Sequence, residues 1–202
     1  MDYYFAIKAY DENNNAAAIS NIAIAQLTED TTPPATISDL AVVAGLAINA
    51  STIRISWTAP GDDGTTGTAL IYDIRYWDEP ITDANWDDAN IFSNPPAPLA
   101  GGSSQTCDVN GLNSGEVIYF AIRTTDDNGN TSEISNSPAG KLVYQINRPP
   151  CNGCGHCVSH CPEDAITDHG SYATIDPDAC VACGDCVSWC PRNAIKLKVV
   201  EY

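Results

Sequence analysis

Eight of the nine cysteines fall into two runs: Cys151, Cys154, Cys157 and Cys161 before Pro162, and Cys180, Cys183, Cys186 and Cys190 before Pro191. Each run reads C-x2-C-x2-C-x3-C-P, and the second follows the first at an offset of 29 residues. Thiolates are soft ligands that suit iron–sulfur chemistry. Three of them at x2 spacing wrap a short loop around one centre and reach three of its corners. A fourth from far along the chain closes the cage, as a 4Fe–4S cube requires. Two zinc ions would also use eight thiolates, and a disulfide framework would pair them. Neither calls for three cysteines at x2 spacing with a trailing Cys-Pro.

The residues between the cysteines suit an anionic centre. Gly155 and Gly184 follow the second cysteine of each run, where a tight turn brings N–H groups toward sulfur. Pro162 and Pro191 lack an N–H and stop the short helical turn that carries the fourth cysteine. Residues 151–166 and 180–195 are identical at ten of sixteen positions, among them Val158/Val187, Ser159/Ser188, Ala165/Ala194 and Ile166/Ile195. The region is a duplicated unit with pseudo-two-fold symmetry. Its core is small enough that cluster binding and folding should be coupled.

On these motifs, residues 141–202 resemble a bacterial-type two-cluster ferredoxin domain. The resemblance implies a βαββαβ fold, two 4Fe–4S clusters and one-electron transfer to a redox partner protein. It implies crossed ligation. One cluster would be held by Cys151, Cys154, Cys157 and Cys190, the other by Cys180, Cys183, Cys186 and Cys161. Residues 166–178, with His169-Gly170 in the middle, resemble the family's central hairpin. Residues 142–146 and 195–200 resemble its first and last strands, which pair. Potentials of such clusters span about −700 to +450 mV, and the resemblance points to the low end.

The elements that carry this unit are β-rich. Residues 4–21 and 119–136 are identical at ten of eighteen positions, an internal repeat with a period of 115. A period that long means domains in tandem. Residues 1–27 read as the final hairpin of a first copy, with an alternating strand over 3–8, a turn at 11–15 and a second strand at 18–24. Residues 28–34, ending in Pro33-Pro34, read as a stiff linker. Within 35–138, alternating segments at 37–46, 51–58, 70–77, 105–112, 117–125 and 131–136 are separated by turn clusters, and 78–102 is an irregular Pro-rich excursion. About seven such strands argue an antiparallel β-sandwich.

This stretch resembles a bacterial fibronectin type III domain. The resemblance is carried by Ile55 to Gly64 (ISWTAPGDDG), Tyr72 to Tyr76 (YDIRY), Val109 to Leu112 (VNGL) and Tyr119 to Ile122 (YFAI). It implies Trp57 as the inter-sheet core tryptophan. The tyrosine-corner position is Ile118 here, at a cost of about 1 kcal/mol for the lost hydrogen bond. Residues 138–140 read as a short linker into the cysteine unit. The expected fold class is thus mostly β followed by small α+β.

The chain has 202 residues and a net charge of −17. Residues 1–140 carry 4 basic and 19 acidic groups, and residues 141–202 carry 5 and 7. Such a surface excludes nucleic acid as an expected partner. No apolar run approaches the ~18 residues of a membrane span, and residues 1–30 lack the order of a signal peptide.

Cys107 shares parity with Val109 on an inward strand face and reads as a buried, inert thiol. His156, His160 and His169 read as surface residues, because no ligand cysteine is missing. Trp189 stands beside Cys190, as packing or as a flank to a cluster. The Asp/Asn clusters at 11–15, 62–64 and 126–130 read as turns rather than calcium loops. No catalytic constellation is recognised. The readings are an electron carrier on fibronectin-like modules, a structural or filament-forming surface protein whose N-terminal hairpin self-associates by strand addition, or an electron-transfer subunit of a larger oxidoreductase. The expected place is the cell surface or exterior of an anaerobic bacterium, with the cytoplasm as the alternative.

Overall fold

Gly45 shows how the chain builds two sheets from one apolar segment. The expected strand at 37–46 is instead two short ones, broken where Gly45 takes φ +137°. In a computed structural model of the chain, which describes residues 2–26 and 29–202, the strands are β1 (Asp2–Phe5), β2 (Ala23–Gln26), β3 (Ala41–Val42), β4 (Gly45–Leu46), β5 (Thr52–Thr58), β6 (Ile71–Trp77), β7 (Asn90–Ile91), β8 (Ser104–Asn110), β9 (Val117–Thr125), β10 (Ala139–Ile146), β11 (Ile166–Asp168), β12 (Ala173–Ile175) and β13 (Ile195–Glu201). Short 3₁₀ turns occupy Trp86–Asp88 and Val158–His160, and helix α1 spans Asp185–Ser188. The chain is mostly β. The expected boundary between residues 27 and 28 lies outside the described residues, as does Met1. Two units are distinct, Met1–Thr31 and Thr32–Tyr202.

The first unit is a hairpin in which β1 pairs antiparallel with β2, Tyr3 opposite Ala25 and Tyr4 opposite Ile24. The expected second strand at 18–24 starts later, at Ala23, because Ser20 breaks the ladder: its Oγ accepts the Ile7 N–H at 2.9 Å. The turn is built on Asp11, whose carboxylate accepts the N–H groups of Asn13 and Asn15. The same bonds recur 115 residues on, where Asp126 accepts from Asn128 and Asn130 and Ser135 Oγ accepts from Ile122. The expected strand at 131–136 is, for the same reason, an irregular segment with side chains inserted into the ladder.

In the second unit a three-stranded sheet, β3-β5-β8, faces a six-stranded one, β4-β13-β10-β9-β6-β7. Between them lies one core of Ile53, Ile55, Trp57, Tyr72, Ile74, Val109, Phe120 and Ile122, joined by Leu142 and Val199. Trp57 is buried and meets Tyr72 edge to face at 5.2 Å. The 78–102 excursion is pinned by Trp86, which sits between the guanidinium groups of Arg75 and Arg123 at 4.7 and 4.6 Å. Arg75, which alternates with the core residues Tyr72 and Ile74, is therefore buried too, its guanidinium bonded to the Trp86 carbonyl at 2.6 Å.

Residues 138–140 do not form a linker. Ala139, Gly140 and Lys141 pair with Tyr119, Ile118 and Val117, the register that β2 takes on β1. From Gly140 to Ile146 the same strand pairs with β13. The strands that open and close the cysteine region are thus interior strands of the sandwich sheet. Leu142 and Val199 fill the sandwich core, while Val143 and Tyr144 pack on the cysteine side.

Candidate metal centre

The cysteine loops are shaped by backbone conformation that repeats across the duplication. Positive φ occurs at Gly153 and Ala182, at Gly155 and Gly184, and at Asp164 and Asn193, each pair 29 residues apart. Hydrogen bonds repeat in the same way. Val158 and Val187 donate to the carbonyls of Gly155 and Gly184, and Cys161 and Cys190 donate to Val158 and Val187. Cys151 and Cys180 donate to Asn147 and Asp176. β11 and β12 form the central hairpin, and α1 carries Cys186, with Cys190 two residues beyond its end. These turns present the sulfurs inward around two centres.

Two cavities result. One is lined by Cys151, Cys154, Cys157 and Cys190, with Ile146, Ala173 and Ile195 as apolar walls. The other is lined by Cys161, Cys180, Cys183 and Cys186, with Tyr144, Ile166 and Ile175. Each fourth cysteine has crossed to the other run's cavity. Cys157, Cys180 and Cys186 are buried, and Cys154 and Cys183 face solvent.

The donor set distinguishes the species it fits. All nine cysteines, each among the described residues, are free thiols. Each cavity offers four thiolates, the ligand set of a 4Fe–4S cube. Burial, then the charges of Cys180, Cys183 and Cys161, pushes the Cys186 thiol up to about 12. Burial likewise raises Cys157, helped by Cys190, Cys151 and Cys154. Without a cation these two thiols keep their protons; a bound cationic centre displaces them. Cys190 Sγ also accepts the Ala194 N–H at 3.3 Å.

The remaining candidates lie apart from the cavities or at their rims. Cys107 is buried in the sandwich, and burial lifts its thiol to about 11. His156 is exposed, and His169 stacks on Tyr172 at 4.5 Å. His160 stacks on Trp189 at 3.8 Å. These two are equivalent positions of the duplication, so the stack joins the two halves, which spacing alone does not reveal.

The family model of the 4Fe-4S dicluster domain matches residues 150–195. The match and the cysteine geometry support a ferredoxin-type domain in the last quarter of the chain, with 4Fe–4S clusters as its cofactors and electron transfer as its business. A search of curated proteins found no match. Among the described residues, no helix is long and apolar enough to cross a membrane.

Proposed function

We propose that this chain carries electrons through two 4Fe–4S clusters in crossed cages, on a fibronectin type III sandwich. Cys151, Cys154, Cys157 and Cys190 hold one cluster, and Cys180, Cys183, Cys186 and Cys161 the other. The observation that carries this reading is the pair of cavities, each lined by three cysteines of one run and the fourth of the other. When bound, such a cube takes up and releases single electrons with little change of geometry. The chain's own residues hold it, exclude water and set its surroundings. Ile166, Ile175 and Tyr144 wall one cage, and Ile146, Ala173 and Ile195 the other. Exposed Cys154 and Cys183 mark where a redox partner protein approaches.

The fibronectin type III assignment is supported by two facing antiparallel sheets and by Trp57 in their shared core. We place the protein at the cell surface or outside an anaerobic bacterium, on that resemblance. Fractionation of the native host with an antibody to the sandwich tests this, and signal confined to the cytoplasm refutes it. Anaerobic reconstitution with iron and sulfide tests the electron-carrier reading. Roughly eight irons per chain and reversible one-electron reductions are expected; stoichiometric zinc, or thiols joined in pairs, overturns it.

One observation favours a second role, in assembly. Phe5 and Ile7 of the hairpin are 58% and 75% exposed, whereas Phe120 and Ile122, 115 residues on, are fully buried. An isolated hairpin is marginal in water, and an apolar face of this kind seeks a sandwich to complete. Removal of residues 1–31 should abolish self-association in sedimentation; unchanged mass refutes this role.

A further inference from the structure

The two halves of the cysteine region match residue for residue, yet their loops lean on different supports. The first loop rests on the tip of its own domain's hairpin: a Cβ at Gly153 would lie 2.4 Å from the Gly170 carbonyl oxygen. The equivalent hairpin of the second half is β10–β13, since the Ile166–Ile175 pair corresponds to Ile195–Ile146. That hairpin has no tip, because its strands run on into the sandwich. The second cysteine loop leans instead on Gly115, from the loop between β8 and β9, at Val181, one residue before the equivalent of Gly153. Gly115 donates its N–H to the Leu142 carbonyl at 2.9 Å. It holds φ +80°, and a Cβ there would fall 2.3 Å from the Val181 carbonyl oxygen and 2.7 Å from its Cα. Val181 stands between Cys180 and Cys183.

We propose that Gly115 is a positioning residue of the second cluster site. The sandwich loop 113–116 braces the Cys180–Cys183 turn as Gly170 braces the first turn. The second site is complete only while the sandwich is folded against it, so the two clusters differ in how firmly they are held. The contact is backbone to backbone, so no side-chain rotation relieves an added Cβ. This inference rests on the electron-carrier reading above.

The test uses the full chain, wild type and Gly115→Val, reconstituted anaerobically with iron and sulfide. Iron release to a chelator and the potentials of the two reduction steps are read. Half of the iron should leave at least about tenfold faster in the variant, the rate equivalent of 1.4 kcal/mol of overpacking strain. One reduction step should shift and the other stay. Gly153→Val should produce the same pattern in the opposite half. Where tryptophan fluorescence shows that Gly115→Val has not folded, hydrogen exchange on the wild type decides. Amides at 113–116 should exchange faster once the clusters are stripped, and unchanged exchange overturns the proposal. A loaded wild type indistinguishable from a folded Gly115→Val also overturns it. A wild type that binds no cluster overturns the electron-carrier reading instead.

Discussion

Replacing Leu142 by Ala removes a side chain from the seam between the cysteine region and the sandwich. Leu142 is fully buried, and its strand is hydrogen-bonded to β9 on one side and to β13 on the other. Neither neighbour can collapse into the space, so the cost belongs in the middle of the range for such truncations, about 3–4 kcal/mol. For a unit of this size each kcal/mol lowers the melting temperature by about 2–4 °C, giving a fall of about 6–16 °C. Thermal unfolding of the cluster-loaded protein would be followed by the fluorescence of Trp57, Trp77 and Trp86 and by the visible absorbance of the clusters. Both transitions should move down together, because β10 belongs to both cores. A cluster transition that falls while the fluorescence transition holds would show two independent cores and refute the argument from the shared sheet.

Other outcomes follow from single residues. Ala182 sits at φ +53°, where a Cβ costs about 1–2 kcal/mol, so Ala182→Gly should raise the melting temperature by a few degrees, about 2–4 °C per kcal/mol, in a thermal scan. Cys107 is neutral in the fold up to about 11, whereas the unfolded thiol ionises near 9.0. Its contribution is therefore complete below the lower value and is lost as pH rises toward the upper one; Cys107→Ala should flatten that alkaline limb in denaturant titrations. Asp126 is fully buried; burial works to raise its carboxyl, but the hydrogen bonds from Asn130, Asn128 and Gly129 hold it below its ordinary 3.8. Its contribution is present above that value and fades as pH falls through the lower folded one. Asp126→Asn should lower stability at neutral pH and weaken the acid dependence of unfolding.

The parts of the structure legible in the sequence are those set by local chemistry. Spacing of the eight cysteines, with glycines and prolines beside them, marks the two loops that build the cavities; which fourth cysteine goes with which loop is implied only by the family resemblance. The alternation of residues 117–125 marks β9 at both ends. What escaped depends on partners far away in sequence. Pro138 and Gly140 carry the composition of a linker, yet Ala139 and Gly140 are strand residues because β9 and β13 flank them. Arg75 stands on the strand face opposite the core residues Tyr72 and Ile74, and it is buried because Trp86 folds over it. Gly115 looks like any turn glycine; its role emerges only when Val181 is seen against it.

Crossed ligation is tested most directly by iron counts in paired serine substitutions. Cys161→Ser with Cys183→Ser damages one cage twice, and Cys161→Ser with Cys154→Ser damages both cages once. If each fourth cysteine serves the other run's cluster, the first pair keeps one intact cluster, roughly four irons with an unaltered reduced signal, and the second pair keeps none. The reverse pattern, an intact cluster in Cys161→Ser with Cys154→Ser alone, would contradict it.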